Sequence, residues 1–156
     1  MVANAAAALA CVGAVGADLE AGAAALSEVG LTAMRMEVLR SAGGGVVLND
    51  SYNANPTSMR AALDALAAMP AGRRVAVLGV MAEISDAVRE HHAIVRYATD
   101  LGIEVMAYGT ELYGVTPVPD LAALMERVGS VAGGDAVLVK GSRVVGLEVV
   151  AAALLG

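Results

Sequence analysis

Three short segments hold the side chains with the most chemical potential. The first is Asn49-Asp50-Ser51-Tyr52-Asn53-Ala54-Asn55-Pro56. Asp50 can accept hydrogen bonds, while Asn53 and Asn55 can both donate and accept. The same letters can make a plain turn with Asx hydrogen bonds and a helix cap. Residue types alone leave both readings open. The second segment is Met34-Arg35-Met36-Glu37, whose arginine would ordinarily be an exposed strand residue. The third is Val139-Lys140-Gly141-Ser142-Arg143, ordinarily a solvated basic loop before a helix. Lys140 is the only lysine, so any role for a primary amine side chain falls there.

These segments need elements that present them together. Val46-Val47-Leu48 is an apolar, largely β-branched run leading into the first segment. Asn55 suits an N-cap and Pro56 the first helical position, so a helix is expected over about 56–69. In an open α/β sheet such a loop lies at the carboxyl end of a strand, where ligands bind. Residues 34–40 alternate, and Gly43-Gly44-Gly45 turns the chain into Val46, which predicts a β-hairpin or a strand pair. Strands are expected over 74–80, 103–108 and 136–139, the first buried on both faces. Helices are expected over 86–101, 120–128 and 144–155. That alternation implies an α/β fold, a mostly parallel sheet with helices on both faces. Before it, residues 3–14 and 18–28 read as two Ala-rich helices punctuated by Gly13, Gly16 and Gly30. With little polar face, they are the kind of helix that other structure normally covers.

Composition narrows the function. The chain has 156 residues, enough for one domain or one domain plus a fragment. Hydrophobic residues make up 58% with no Phe or Trp, so Ala, Val, Leu and the eight Met must fill the core. A net charge of -6 argues against a broad nucleic-acid surface. The single cysteine, Cys11, excludes an internal disulfide, fits a reducing compartment and is expected to be buried. The apolar run over 1–15 has no basic lead and falls short of the roughly 20 residues that span a bilayer. A cytoplasmic location without membrane insertion is therefore expected. His91 and His92 are adjacent on a helix and point in different directions, so they cannot share a metal and are expected at the surface. Glu83 precedes a helix start, where a carboxylate favours the dipole. No G-x-G-x-x-G, no P-loop and no Cys/His cluster is present, so no complete site of a common type is carried and no metal ligand is assigned.

In this order the segments resemble the Mur ligases, the ATP-dependent enzymes that build the peptidoglycan stem peptide. The letters Tyr52-Asn53-Ala54-Asn55-Pro56 and Leu138-Val139-Lys140-Gly141-Ser142-Arg143 are most similar to the branch that adds D-alanyl-D-alanine to UDP-N-acetylmuramoyl-tripeptide. The resemblance implies a Rossmann-like C-terminal domain over 32–156. It also implies that residues 1–31 are the terminal helices of a central ATP-binding domain, since Asn4-Ala5-Ala6-Ala7-Ala8-Leu9-Ala10 resembles a stretch there. The chain would then be about the last third of a ligase, inactive by itself and partnered by the remaining domains.

The resemblance also implies roles. Asp50 would bind the ribose hydroxyls of ATP, since a carboxylate can accept from both hydroxyls of a cis-diol. Tyr52, Asn53 and Asn55 would line the adenine pocket. Arg35 would reach the γ-phosphate, whose charge suits a planar guanidinium; Met34 stands where the family usually has glycine. Lys140, Ser142 and Arg143 would hold the dipeptide carboxylate. Leu78-Gly79-Val80-Met81-Ala82-Glu83-Ile84 resembles a family stretch in which aspartate commonly takes the place of Val80. Magnesium is implied as a cofactor held mainly by the central domain. The rivals are another Mur branch and a non-catalytic α/β nucleotide-binding module.

Overall fold

The computed structural model describes residues 2–28 and 33–156. The chain divides into two compact units, Met1–Thr32 and Ala33–Gly156. The boundary expected at 31/32, and the punctuating Gly30, lie outside the described residues.

The first unit is a pair of helices, α1 (Val2–Ala14) and α2 (Leu19–Glu28). Gly16 turns the chain between them with φ +71°. The Asp18 carboxylate then accepts from the amides of Glu20 at 2.8 Å and Ala21 at 3.2 Å, capping α2. Gly22 lets α2 approach the Val12 side chain closely. None of the α2 residues is buried. Cys11, expected to be buried, is exposed, since α1 and α2 pack only on each other in this unit and α2 buries none of its own residues.

The second unit is built on a five-stranded sheet in the order β1-β2-β5-β3-β4. Its strands are β1 (Glu37–Arg40), β2 (Val46–Asp50), β3 (Arg73–Leu78), β4 (Glu104–Ala107) and β5 (Asp135–Lys140). β1 and β2 form the expected antiparallel hairpin, while β2, β5, β3 and β4 run parallel. Helices α3 (Pro56–Ala67) and α4 (Ala87–Asp100) cover one face, and α5 (Leu121–Val128) and α6 (Glu148–Ala153) cover the other.

Alternation along the strands supplies both cores. Ala76, Leu78, Ala136 and Leu138 meet Met59, Leu63, Leu66 and Ile94 on the α3/α4 side. Val75, Val77, Val137 and Val139 meet Leu124, Val128, Val150 and Ala151 on the other. Methionine takes part as expected: Met59, Met81 and Met106 are fully buried or nearly so.

Two expected elements are shorter. The strand expected from Met34 starts at Glu37, because Met34 and Met36 adopt φ of +63° and +51° and turn the chain. The closing helix expected over 144–155 is a 3-10 turn, Arg143–Val145, followed by α6; Gly146 at φ +69° separates them. No helix among the described residues is long and apolar enough to cross a membrane.

Connectivity sets where a site can form. The helices after β2 and β3 go to one face, and the helix after β5, the strand between them, goes to the other. The loops leaving these three strands therefore diverge and leave a crevice at their carboxyl ends.

Candidate functional site

The first and third chemical segments line that crevice, and the second is attached to the first. A cleft of about 200 Å³ is lined by Tyr52 and Asn53 after β2, Ala82 and Glu83 after β3, and Ser142, Arg143 and Val144 after β5. The loops are held in close register. Gly79 N donates to Lys140 O, Ser142 N to Val80 O at 2.9 Å, and Ala82 N to Ser142 Oγ at 3.0 Å. Gly79 and Gly141 permit this approach: a Cβ on Gly141 would sit 2.7 Å from Leu147 Cδ1 and 3.1 Å from Gly79 Cα.

The turn before β1 is pinned to the loop after β2. Tyr52 N donates to Met34 O at 3.1 Å, and Met36 N donates to Asp50 Oδ1 at 3.0 Å. Arg35 lies between these two anchors, and its guanidinium stacks over the Tyr52 ring, 4.1 Å from the centroid. Met34 thus adopts the left-handed conformation that glycine adopts without strain. The structure brings Arg35, Asp50 and Tyr52 together although Arg35 and Asp50 are 15 positions apart in sequence.

Asp50 is partly buried, with 14% of its side chain exposed. Its Oδ2 accepts from Lys140 Nζ at 2.5 Å. Lys140 also donates to Asn53 O at 2.8 Å, and its side chain is only 2% exposed. The ammonium expected to face a dipeptide carboxylate therefore points inward. Strand register explains this: Asp50 on β2 pairs with Lys140 on β5, so both side chains leave the same face.

The remaining expected residues divide. Asn53 lines the cleft, its own Oδ1 accepting from Ala54 N. Asn55 caps α3 through a reciprocal bond pair with Ser58, so its side-chain oxygen is committed to the helix and the residue does not line the cleft. Ser142 lines the cleft while its Oγ receives Ala82 N. Arg143 is half exposed, lines the cleft, donates to Met34 Sδ at 3.0 Å and lies 3.7 Å from Glu148.

Several participants differ from the sequence reading. Glu83 lines the cleft, and Asp86, not Glu83, caps α4 by accepting from Arg89 N. Glu37 accepts from Met34 N and from the buried Asn49 side chain, bracing the Arg35 turn. His91, expected at the surface, is fully buried. Its Nε2 accepts from Met81 N at 2.9 Å, and its ring meets Tyr113 edge to face. Tyr113 in turn donates to Gly79 O at 2.8 Å. Burial lowers the His91 pKa and pushes that of Tyr113 up. The i, i+3, i+7 spacing of His91, Ile94 and Ala98 on α4 is the available signal.

Known proteins place the arrangement. Residues 34–143 match the family model described as Mur ligase, glutamate ligase domain. The UDP-N-acetylmuramoyl-tripeptide–D-alanyl-D-alanine ligase of Mycobacterium leprae is 37% identical over 90% of this chain and 34% of its own length. That of Escherichia coli is 36% identical over 98% of the chain and 36% of its own length. The chain thus spans about a third of the length of these curated relatives. Among solved structures, MurF from Acinetobacter baumannii superposes with a TM-score of 0.78 at 31% identity, covering 99% of this chain and 37% of that one. MurF from Thermotoga maritima, solved in complex with ADP, shares the fold with a TM-score of 0.78 at 22% identity, over 94% of this chain and 35% of that one.

Proposed function

The chain belongs to the Mur ligase family, and from that premise we propose that it forms the C-terminal part of an ATP-dependent ligase joining D-alanyl-D-alanine to UDP-N-acetylmuramoyl-tripeptide. The observation that carries this is the crevice itself. Asp50 and Arg143 stand at the carboxyl ends of β2 and β5, and the turn before β1 brings the Arg35 guanidinium over Tyr52 beside them. Those groups match three needs of the reaction: a ribose ligand, a phosphate ligand and a carboxylate ligand.

In the reaction, the tripeptide carboxylate attacks the γ-phosphorus of ATP, forming an acyl phosphate and releasing ADP. The dipeptide amine then attacks the acyl carbon, the carbon–oxygen bond to phosphate breaks, and the amine loses a proton. Asp50 would hold the ribose, and Tyr52 and Asn53 would flank the base. Arg35 would offset charge on the transferred phosphoryl group, which favours donors fixed in advance. Its stacking on Tyr52 supplies that fixation. Arg143, with Ser142 beside it, would meet the dipeptide carboxylate, because its guanidinium is the exposed cation of the 140–143 loop. Cytoplasmic action fits the soluble nucleotide substrates.

Magnesium would be held mainly by the remaining domains of the ligase and the substrate phosphates. The described residues contain no group of three or more His, Cys, Asp or Glu able to hold a metal ion. The contribution of these residues is binding, orientation and exclusion of water from a labile acyl phosphate.

The test is ADP formation by the full-length ligase carrying this sequence. It should require the nucleotide tripeptide and rise when D-alanyl-D-alanine is added. Turnover with a single amino acid in place of the dipeptide would assign another branch, and absence of any substrate-dependent ADP release would favour a binding module.

A further inference from the structure

We propose that Lys140 is a positioning residue for the nucleotide loop and takes no part in holding the dipeptide. This rests on the reading of Asp50 as the ribose ligand. An ammonium has three N–H donors. One goes to Asp50 Oδ2 at 2.5 Å and one to Asn53 O at 2.8 Å. With the side chain 2% exposed, the third cannot meet a ligand arriving from solvent. Lys140 is therefore spent on two points of one loop, residues 50 and 53, on either side of Tyr52.

The consequence is specific to that loop. Asp50 Oδ1 receives Met36 N and Oδ2 receives Lys140, so the carboxylate is fixed at both oxygens. Each oxygen keeps a second lone pair, so the group can still accept from a diol. Lys140 also offsets the carboxylate charge, which lies mostly out of solvent. Without it, Asp50 would retain one side-chain anchor, from Met36 N, and the Asn53 carbonyl would lose its tie to β5. Arg143, half exposed and bonded to Met34 Sδ and Glu148 rather than to residues 50–53, lines the cleft and is placed to serve the other substrate.

Lys140→Met and Asp50→Ala, singly and together, separate the roles in the full-length ligase. Lys140→Met should raise KM for ATP roughly tenfold or more, the usual scale for losing a charged hydrogen bond, and leave KM for D-alanyl-D-alanine within about twofold. The double variant should be little worse than Asp50→Ala, because the lysine acts through the aspartate. A raised KM for the dipeptide with an unchanged KM for ATP overturns the proposal and restores a dipeptide clamp. An Asp50→Ala enzyme with normal KM for ATP sinks the ribose reading instead, so the two ideas fail separately. If Lys140→Met does not fold, amine acylation of the full-length ligase decides, read by mass spectrometry on the peptide that carries Lys140. Lys140 should resist modification in the native enzyme, and Asp50→Ala should unmask it. Equal labelling of Lys140 in the native and Asp50→Ala enzymes overturns the inward pairing.

Discussion

The imidazole of His91 accepts the amide of Met81 at 2.9 Å, while its other ring nitrogen lies 2.6 Å from the Ala87 carbonyl. A carbonyl can only accept, so Nδ1 carries the proton and Nε2 must be bare. That bond holds the start of the loop after β3, which goes on to supply Ala82 and Glu83 to the cleft.

A proton on Nε2 would remove the acceptor and place a charge in the core. Burial lowers the His91 pKa below the ordinary value of 6.5. The unfolded state therefore takes up the proton first as pH falls. Stability is fully present above the unfolded value, declines as pH drops below it, and levels off once the folded state is protonated too. His91→Phe should cost about 1–3 kcal/mol at neutral pH by orphaning Met81 N. The gap between wild type and variant should shrink in urea titrations repeated near pH 5. A gap that stays constant with pH would show that His91 matters only for packing.

Arg35 and Asp50 should separate kinetically in the full-length ligase. A ribose contact is made in ground and transition states alike, so Asp50→Ala should raise KM for ATP with a smaller change in kcat. Phosphoryl charge rearranges during transfer, so Arg35→Ala should lower kcat by roughly 10²-fold. Because Arg35 is exposed and stacked on Tyr52, its removal should cost the fold no more than about 1 kcal/mol. An unchanged kcat would take Arg35 out of the phosphate site.

Gly141 should tolerate no side chain. Its added Cβ would meet Leu147 at 2.7 Å and the Gly79 backbone at 3.1 Å, and backbone cannot swing aside. Gly141→Ala should destabilise by about 1–3 kcal/mol, the range for overpacking, and loosen the cleft walls. Gly133, with open space around its Cβ position and no left-handed φ, is the control: Gly133→Ala should be near neutral. Equal thermal shifts for the two variants would refute the close-approach argument.

What sequence could reveal depended on the range of each interaction. Local chemistry was legible: Asn55-Pro56 marked the start of α3, and unbroken apolar runs marked β2, β3 and β5. The Arg35 turn was partly so, because Met34 standing in place of glycine conceals a left-handed backbone. The pairing of Asp50 with Lys140 was not legible, since it depends on β5 inserting between β2 and β3, a long-range choice no local pattern states. His91 was misplaced for a related reason. Adjacent histidines look like a polar surface, and only the packing of α4 under Tyr113 buries one of them.

The isolated 156-residue chain should bind ATP weakly and form no product. A cleft of about 200 Å³ lies below the range of ~300–1,000 Å³ that encloses small ligands, so most of a nucleotide would stay in water. Phosphoryl transfer also needs a phosphate cradle and a held metal ion. The sequence has no P-loop, and the described residues show no metal cluster. One ribose carboxylate and a stacked arginine must offset the lost freedom of a flexible triphosphate, a cost of several kcal/mol on the usual scale. Calorimetry with ATP and magnesium should therefore give a dissociation constant no tighter than about the high micromolar range. Adding the nucleotide tripeptide and D-alanyl-D-alanine should release no phosphate. Submicromolar binding would mean that these loops enclose far more of the nucleotide than the crevice geometry allows, and the division of labour proposed for them would have to be abandoned.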